Sequence, residues 1–209
     1  MIAGARAGEP VPAGRAPDLI TRPIEILFLD VDGVLADGGI LLAEGIELKR
    51  FTARDGAAAY LAHRAGLKMV LVTFRDSAAV RRRAAELSVE ALQGVRDKAG
   101  AVRQACGERG IDPAAAAFMG DDLVDLEAMR GVGLAIAPRD AAPPALHVAR
   151  LVTAAAGGQG AVREAVETIL WLNRALAERA EHEAERRRPA AVKRAARKPA
   201  KKAGRHARG

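Results

Sequence analysis

The sequence predicts a doubly wound, Rossmann-like α/β domain with a mostly parallel sheet, a small β-hairpin insertion and no cap domain. Three observations lead there. Short, nearly continuous apolar runs, such as IEILFLDV at 24–31 and LKMVLVT at 67–73, mark strands buried on both faces. These runs alternate with helix-like segments, as crossover connections between parallel strands require. Between the polar residues that follow the runs, the chain is too short to hold a second domain.

Taken in order, the first strand is 24–31. A glycine-rich stretch from Gly33 to Gly45 follows, in which 40–43 and 46–51 flank Glu44-Gly45 and predict the hairpin. Asp55-Gly56 opens a helix that Gly66 closes as a C-terminal cap. After the strand at 67–73 come a helix at 77–87, a short strand at 89–92 and a helix at 97–109. The alternation continues with a strand at 115–119, a helix at 123–129, a strand at 132–137 and an edge strand at 148–152. A final helix starts near Ala161, with Val162, Val166, Ile169, Leu170, Asn173 and Leu176 along one stripe at helical spacing. Beyond Leu176 the sequence is wholly polar, so the helix is expected to emerge into solvent.

Length and composition bound the rest. The 209 residues fit one domain with tails: a flexible leader at 1–23, the α/β domain at 24–180 and a basic, disordered tail at 181–209. Half the residues are hydrophobic but only 3% are aromatic, so the core is aliphatic and an aromatic platform for single-stranded nucleic acid is not indicated. The net charge of +7 is a property of the tail. Residues 186–209 hold eleven Lys and Arg and no acid, which leaves 22 basic against 26 acidic side chains in residues 1–185. That tail reads either as an arm for nucleic acid or an acidic membrane surface, or as a low-complexity extension with no dedicated partner. The lack of accompanying aromatic or base-reading residues favours the second. A single cysteine, Cys106, excludes an internal disulfide and a thiolate-rich zinc site. No membrane-length apolar segment and no signal-peptide run is present, so a cytoplasmic protein is expected. His63, His147 and His182 show no ligand spacing, and Trp171 reads as packing.

In sheets of this class ligands bind beyond the carboxyl ends of the strands. The polar residues there are Asp30 and Asp32, then Thr73 and Arg75, then Asp121 and Asp122. Asp30 and Asp32 are two residues apart in extended backbone, so both address one side. Gly120-Asp121-Asp122 repeats the arrangement. Acids converging on one point repel one another unless a cation sits among them, and carboxylate oxygens suit Mg2+. With Thr73 and Lys98 beside that cation, phosphoryl transfer is the chemistry indicated, since hydroxyl, ammonium and metal all address phosphate oxygens. A carboxylate can serve as the nucleophile.

DVDGVLADG at 30–38, Thr73, Lys98 and GDDLVD at 120–125 resemble, in order, the four motifs of the haloacid dehalogenase-like phosphatases. The resemblance implies that Asp30 attacks phosphorus and that Asp32 is the general acid/base. Thr73 and Lys98 would hold the phosphoryl group. Mg2+ would be bound by Asp30, by the backbone carbonyl of Asp32 and by Asp121. Asp122 is left to orient the loop or Lys98, and Asp125 to support the following helix. Only 41 positions separate Asp32 from Thr73 and 25 separate Thr73 from Lys98, which leaves the hairpin as the one element able to cover the site.

DVDGVLADGGILL, GIELKRFTARDG at 45–56 and AGGQGAVRE at 156–164 further resemble the capless 3-deoxy-D-manno-octulosonate 8-phosphate phosphatases, over residues 24–175. That resemblance implies a homotetramer of lipopolysaccharide precursor synthesis whose subunits complete one another's sites. Arg54, Asp55 and Gly56 would line the sugar pocket, together with Asp32 and Lys98, and Arg75 and Arg83 would meet the charged groups of a small sugar acid. AGGQGAVRE, or the helix it begins, would help close a neighbouring subunit's site, with Arg163 supplying charge to the sugar carboxylate. Two positions depart from the family pattern. Phe74 stands where Gly is usual and Tyr60 where Arg is usual, which keeps a nonulosonic acid 9-phosphate open as an alternative substrate.

Overall fold

The computed structural model describes residues 19–44 and 46–187. The expectations placed on residues 1–18 and 188–209, most of the leader and of the basic tail, lie outside the described residues. Among the described residues, eight strands and six helices follow one another, one helix more than the sequence predicts. The strands are β1 (Ile26–Leu29), β2 (Leu41–Ala43), β3 (Ile46–Leu48), β4 (Lys68–Val72), β5 (Glu90–Leu92), β6 (Ala116–Met119), β7 (Leu134–Ala137) and β8 (Leu151–Val152). The helices are α1 (Ala53–Ala65), α2 (Ala78–Leu87), α3 (Lys98–Glu108), α4 (Leu126–Arg130), α5 (Pro143–Val148) and α6 (Ala161–Arg187).

Six strands form one parallel sheet in the order β5-β4-β1-β6-β7-β8. Leu29 pairs with Leu71 on one side and with Met119 on the other. Asp30, Thr73 and Gly120 therefore leave the sheet at one edge. The chain winds outward from β1 through β4 to β5, then returns on the other side to β6, so β1 borders the switch point where such sheets open a crevice.

Alternation along β1 separates two cores. Leu27 and Leu29 pack with Ala58, Ala62, Val80, Val162, Val166 and Ile169 on the face covered by α1, α2 and α6. Ile26 and Phe28 pack with Val102, Cys106, Met129 and Ala145 on the face covered by α3, α4 and α5. Burial on both faces is why the strands read as unbroken apolar runs. Ile20 is buried in the first core, so packing begins upstream of residue 24, where the domain was expected to start. Asn173 on α6 reinforces that end: its amide donates to the Ile24 carbonyl and accepts from the Ile24 N–H, both at 2.8 Å.

Three elements differ from expectation. Residues 148–152 do not form a strand throughout: Val148 ends α5, and only Leu151 and Val152 pair with β7. The sequence predicts no element at α5; Pro143 and Pro144 suit its first turn, where the missing N–H has no partner to lose. The helix expected at 123–129 begins as a 3-10 turn, Leu123–Asp125, before α4. The hairpin of β2 and β3 pairs Leu41 with Leu48 and exposes Leu41, Leu42, Ile46 and Leu48.

By compactness the chain divides into Met1–Leu176 and Ala177–Gly209. The buried residues of α6 all precede Ala177. In the second unit, the described residues 177–187 are exposed helix carrying one i,i+4 ion pair, Arg179–Glu183 at 3.3 Å. No helix among the described residues is long and apolar enough to cross a membrane.

Candidate active site

Asp30 follows β1, and its N–H donates to the Met119 carbonyl at 2.9 Å, which fixes it beside the end of β6. Thr73 follows β4 and donates its N–H to Leu92 at 2.9 Å. Lys98 opens α3, capped by Asp97, whose carboxylate accepts from the Gly100 N–H at 2.8 Å. These constraints bring an ammonium to the aspartates. Lys98 Nζ lies 2.7 Å from Asp30 Oδ1 and 2.7 Å from Asp125 Oδ1. All three side chains are buried.

Asp125 has a larger part than supporting the following helix. Its Oδ2 accepts from the N–H groups of Asp121 at 3.0 Å and Asp122 at 3.2 Å. Lys98 is thus oriented by Asp125 and not by Asp122, which caps the 3-10 turn through a 2.7 Å bond from the Leu123 N–H. Asp122 and Asp125 of GDDLVD both sit near a helix start; only the tertiary structure shows which one faces α3.

Carboxylate oxygens of Asp30, Asp121 and Asp125 lie within 4.8 Å of one another. Burial, then the neighbouring Asp125, push the Asp30 carboxyl up to about 6 despite Lys98. Burial and the charges of Asp30, Asp125 and Asp122 push Asp121 up to about 8. Burial alone would lower the Lys98 ammonium, but Asp30 and Asp125 outweigh it and raise it. One lysine therefore does not neutralise the cluster. Asp121 Oδ1 is buried without a hydrogen-bond partner. Gly33, at φ +90°, makes the close approach possible, since a Cβ there would lie 2.0 Å from Asp121 Oδ2. Asp125 has both oxygens engaged, so Asp30 and Asp121 are the carboxylates left to address a cation. A hard divalent ion with oxygen ligands fits this donor set.

Asp32 faces a second group of charges. Lys49 bonds Asp32 Oδ1 and lies 3.1 Å from Glu47 Oε1. Arg75 Nε lies 3.8 Å from Asp32 Oδ2, and Arg75 Nη1 3.7 Å from Glu47 Oε2. Sequence reasoning missed Glu47 and Lys49. The signal was present: alternation along 46–51 places both on the side opposite Ile46 and Leu48.

The residues expected around a sugar divide sharply. Asp55 is buried, and its carboxylate is consumed within the chain. Oδ2 accepts from the Thr52 hydroxyl at 2.6 Å and the Gly160 N–H at 2.9 Å, while Oδ1 accepts from the Arg163 N–H at 3.1 Å. It joins the first turns of α1 and α6. Arg83 donates to the Thr52 carbonyl at 3.1 Å and stands over the Phe51 ring at 5.5 Å. Gly56 is where Arg83 passes, since a Cβ there would meet Nη2 at 2.5 Å. Asp55, Gly56 and Arg83 thus build the support of α1. Arg54 is exposed, lies against Gly160 and pairs with no carboxylate among the described residues.

The glycines of AGGQGAVRE pack against the chain itself. A Cβ on Gly157 would lie 1.8 Å from the Gly33 carbonyl oxygen, and the Gly158 N–H donates to Val34 at 2.8 Å. The backbone this segment approaches is that of its own loop after Asp32. The Arg163 side chain is engaged with Glu167 at 2.7 Å. Phe74 is 51% exposed beside Thr73, with the Arg96 guanidinium 5.5 Å from its ring. Tyr60 is exposed and accepts from Arg64 at 3.1 Å.

Comparison with known proteins places these features. The haloacid dehalogenase-like hydrolase family matches residues 83–165. The 3-deoxy-D-manno-octulosonate 8-phosphate phosphatase of Salmonella typhimurium is 39% identical over 159 residues, covering 74% of this chain and 85% of that protein. The Escherichia coli K12 enzyme of the same name is 40% identical over 149 residues, 70% of this chain and 79% of its own. Among solved structures, the Moraxella catarrhalis phosphatase in complex with magnesium, phosphate and KDO superimposes with a TM-score of 0.71 at 33% identity, covering 81% of this chain and 97% of that one. A Vibrio cholerae structure described as a putative member of the same group gives 0.74 at 34% identity, with coverage of 83% and 96%.

Proposed function

This chain belongs to the 3-deoxy-D-manno-octulosonate 8-phosphate phosphatases of the haloacid dehalogenase-like hydrolases, and from that premise we propose that it hydrolyses 3-deoxy-D-manno-octulosonate 8-phosphate to the free sugar acid and phosphate, in lipopolysaccharide precursor synthesis. The observation that carries the reading is the buried Asp30 held 2.7 Å from Lys98 beside the unpartnered oxygen of Asp121.

On this reading Asp30 attacks phosphorus in line with the leaving oxygen and becomes an aspartyl phosphate. Lys98 and the Thr73 hydroxyl hold the phosphoryl oxygens. Asp32 protonates the departing sugar alkoxide, then takes a proton from the water that cleaves the acyl phosphate. Asp30, Asp121 and the Asp32 carbonyl would hold Mg2+, which would offset negative charge on the phosphoryl group and on the two carboxylates. Asp125 keeps Lys98 aimed at Asp30 throughout.

Recognition of the sugar carboxylate falls to exposed cations at the rim. Arg54 has no acid partner among the described residues, and Arg75 is only loosely engaged with Asp32 and Glu47. The exposed aliphatic hairpin, carrying Leu41, Leu42, Ile46 and Leu48, supports a homotetramer in which neighbours cover one another's open sites. A cytoplasmic location suits a phosphorylated sugar and the free thiol of Cys106.

Paired kinetic assays test the proposal. With Mg2+ present, the eight-carbon sugar acid phosphate should be cleaved at least about 100-fold more efficiently than glucose 6-phosphate, the discrimination that buried or rim charge pairing can supply. Equal efficiency would overturn the substrate assignment, and preference for a nonulosonic acid 9-phosphate would redirect it through Phe74 and Tyr60. Light scattering checks the assembly.

A further inference from the structure

We propose that Lys49 is a positioning residue for Asp32, distinct in its task from Lys98. The inference rests on the functional reading above and deepens it at the leaving-group side of the site.

The hairpin strand that precedes Lys49 exposes its outward side chains: Ile46 is 61% exposed and Leu48 52%. The Lys49 side chain is 0% exposed. An ammonium removed from water is costly unless its partners are charged and well placed. Lys49 has one hydrogen-bonded partner, Asp32, and a second carboxylate, Glu47, at 3.1 Å. Glu47 is thereby a bridge, reaching both Lys49 and Arg75.

The division of labour follows from the oxygens used. Lys98 addresses Asp30 and Asp125, while Lys49 addresses Asp32 and Glu47. Lys49 occupies Asp32 Oδ1. No hydrogen bond within the described residues reaches Oδ2, which has Arg75 Nε at 3.8 Å. A carboxylate pinned by one oxygen presents the other in a fixed direction. That is the requirement for proton transfer to a departing alkoxide, where small misplacements are costly. The isolated bridges Asp32–Ala36 and Ala36–Phe51 tie the ends of the hairpin segment to the loop after β1. Lys49 therefore reaches Asp32 from a backbone attached to the same loop.

The test separates proton delivery from general damage. Lys49→Met and Lys49→Arg are compared with the unaltered protein on two phosphate esters. One is the sugar acid phosphate, whose alkoxide must be protonated as it leaves. The other is p-nitrophenyl phosphate, whose weakly basic phenolate leaves unprotonated. Because kcat/KM reports only the steps through phosphoryl transfer to Asp30, Lys49→Met should lower it about 100-fold for the sugar phosphate and less than about fivefold for the aryl ester. The sugar-phosphate loss should lie in kcat, with KM within about threefold. Lys49→Arg, which keeps the charge, should recover most of the activity. Equal losses on both esters, a loss confined to KM, or no loss would each overturn the proposal. Lys49→Gln replaces methionine if that variant does not fold, and is judged by the same ratio. An unaltered protein inactive on sugar phosphates would instead count against the assigned substrate and leave Lys49 to be judged on other alkyl phosphates.

Discussion

Asp125 Oδ1 lies 2.7 Å from Lys98 Nζ, joining the turn after β6 to the first residue of α3. Because Oδ2 of the same carboxylate accepts from two successive backbone N–H groups, the lysine and the loop bearing Asp121 are set by one side chain. The aim of Lys98 at Asp30 is consequently a property of Asp125 as much as of α3.

Removing that carboxylate should be expensive. Asp125→Ala leaves a buried ammonium with one fewer partner and two N–H groups unpaired, so stability should fall by about 3–5 kcal/mol. Urea unfolding measures this directly. A change below about 1 kcal/mol would show that the loop and Lys98 find other partners.

Asp30→Asn should leave the protein folded and reduce turnover by at least about 1000-fold, since an amide is no nucleophile toward phosphorus. Burial and Asp125 already disfavour the Asp30 anion. At pH 8 without Mg2+, the variant should therefore melt no lower than the unaltered protein. Residual turnover within tenfold would remove Asp30 from the nucleophile's place.

The carboxyls of Asp30 and Asp121 are raised from the usual 3.8 to about 6 and about 8. A raised folded pKa means that the folded chain binds more protons than the unfolded one. Stability should thus decline as pH rises from about 4 to about 8 in the metal-free protein, by on the order of 5–10 °C in Tm. Protons and Mg2+ compete for the same oxygens, so added Mg2+ should raise Tm more at pH 8 than at pH 6. Calorimetry at the two pH values, with and without Mg2+, reads both effects. A Tm response to Mg2+ that did not grow with pH would argue against Asp30 and Asp121 as its ligands.

Gly157→Ala places a methyl 1.8 Å from the Gly33 carbonyl oxygen, and backbone cannot yield as a flexible side chain can. A loss of about 3 kcal/mol is expected, with a parallel loss of activity because Gly33 adjoins Asp121. Were the segment instead docked on a neighbouring subunit, the main effect would be dissociation at unchanged monomer stability. Unfolding curves run alongside light scattering distinguish the two.

The sequence by itself determined the sheet and the nucleophile's place in it. Unbroken apolar runs can form only where both faces are covered, and residues just after such strands must meet at one edge, which placed Asp30, Thr73 and Asp121 together. Those inferences depend on periodicity and chain order, both local properties. What tertiary structure decided was which charged side chains meet one another. Asp122 and Asp125 look alike in GDDLVD, yet only the second faces Lys98. Asp55 and Arg83 sit among pocket-like residues, yet both are engaged in holding α1. Lys49 reads as an ordinary hairpin lysine, yet it is buried against Asp32. A charged residue is compatible with water, with a partner or with a substrate. Nothing local to the chain chooses among these, because the choice rests on desolvation and pairing with groups distant in sequence.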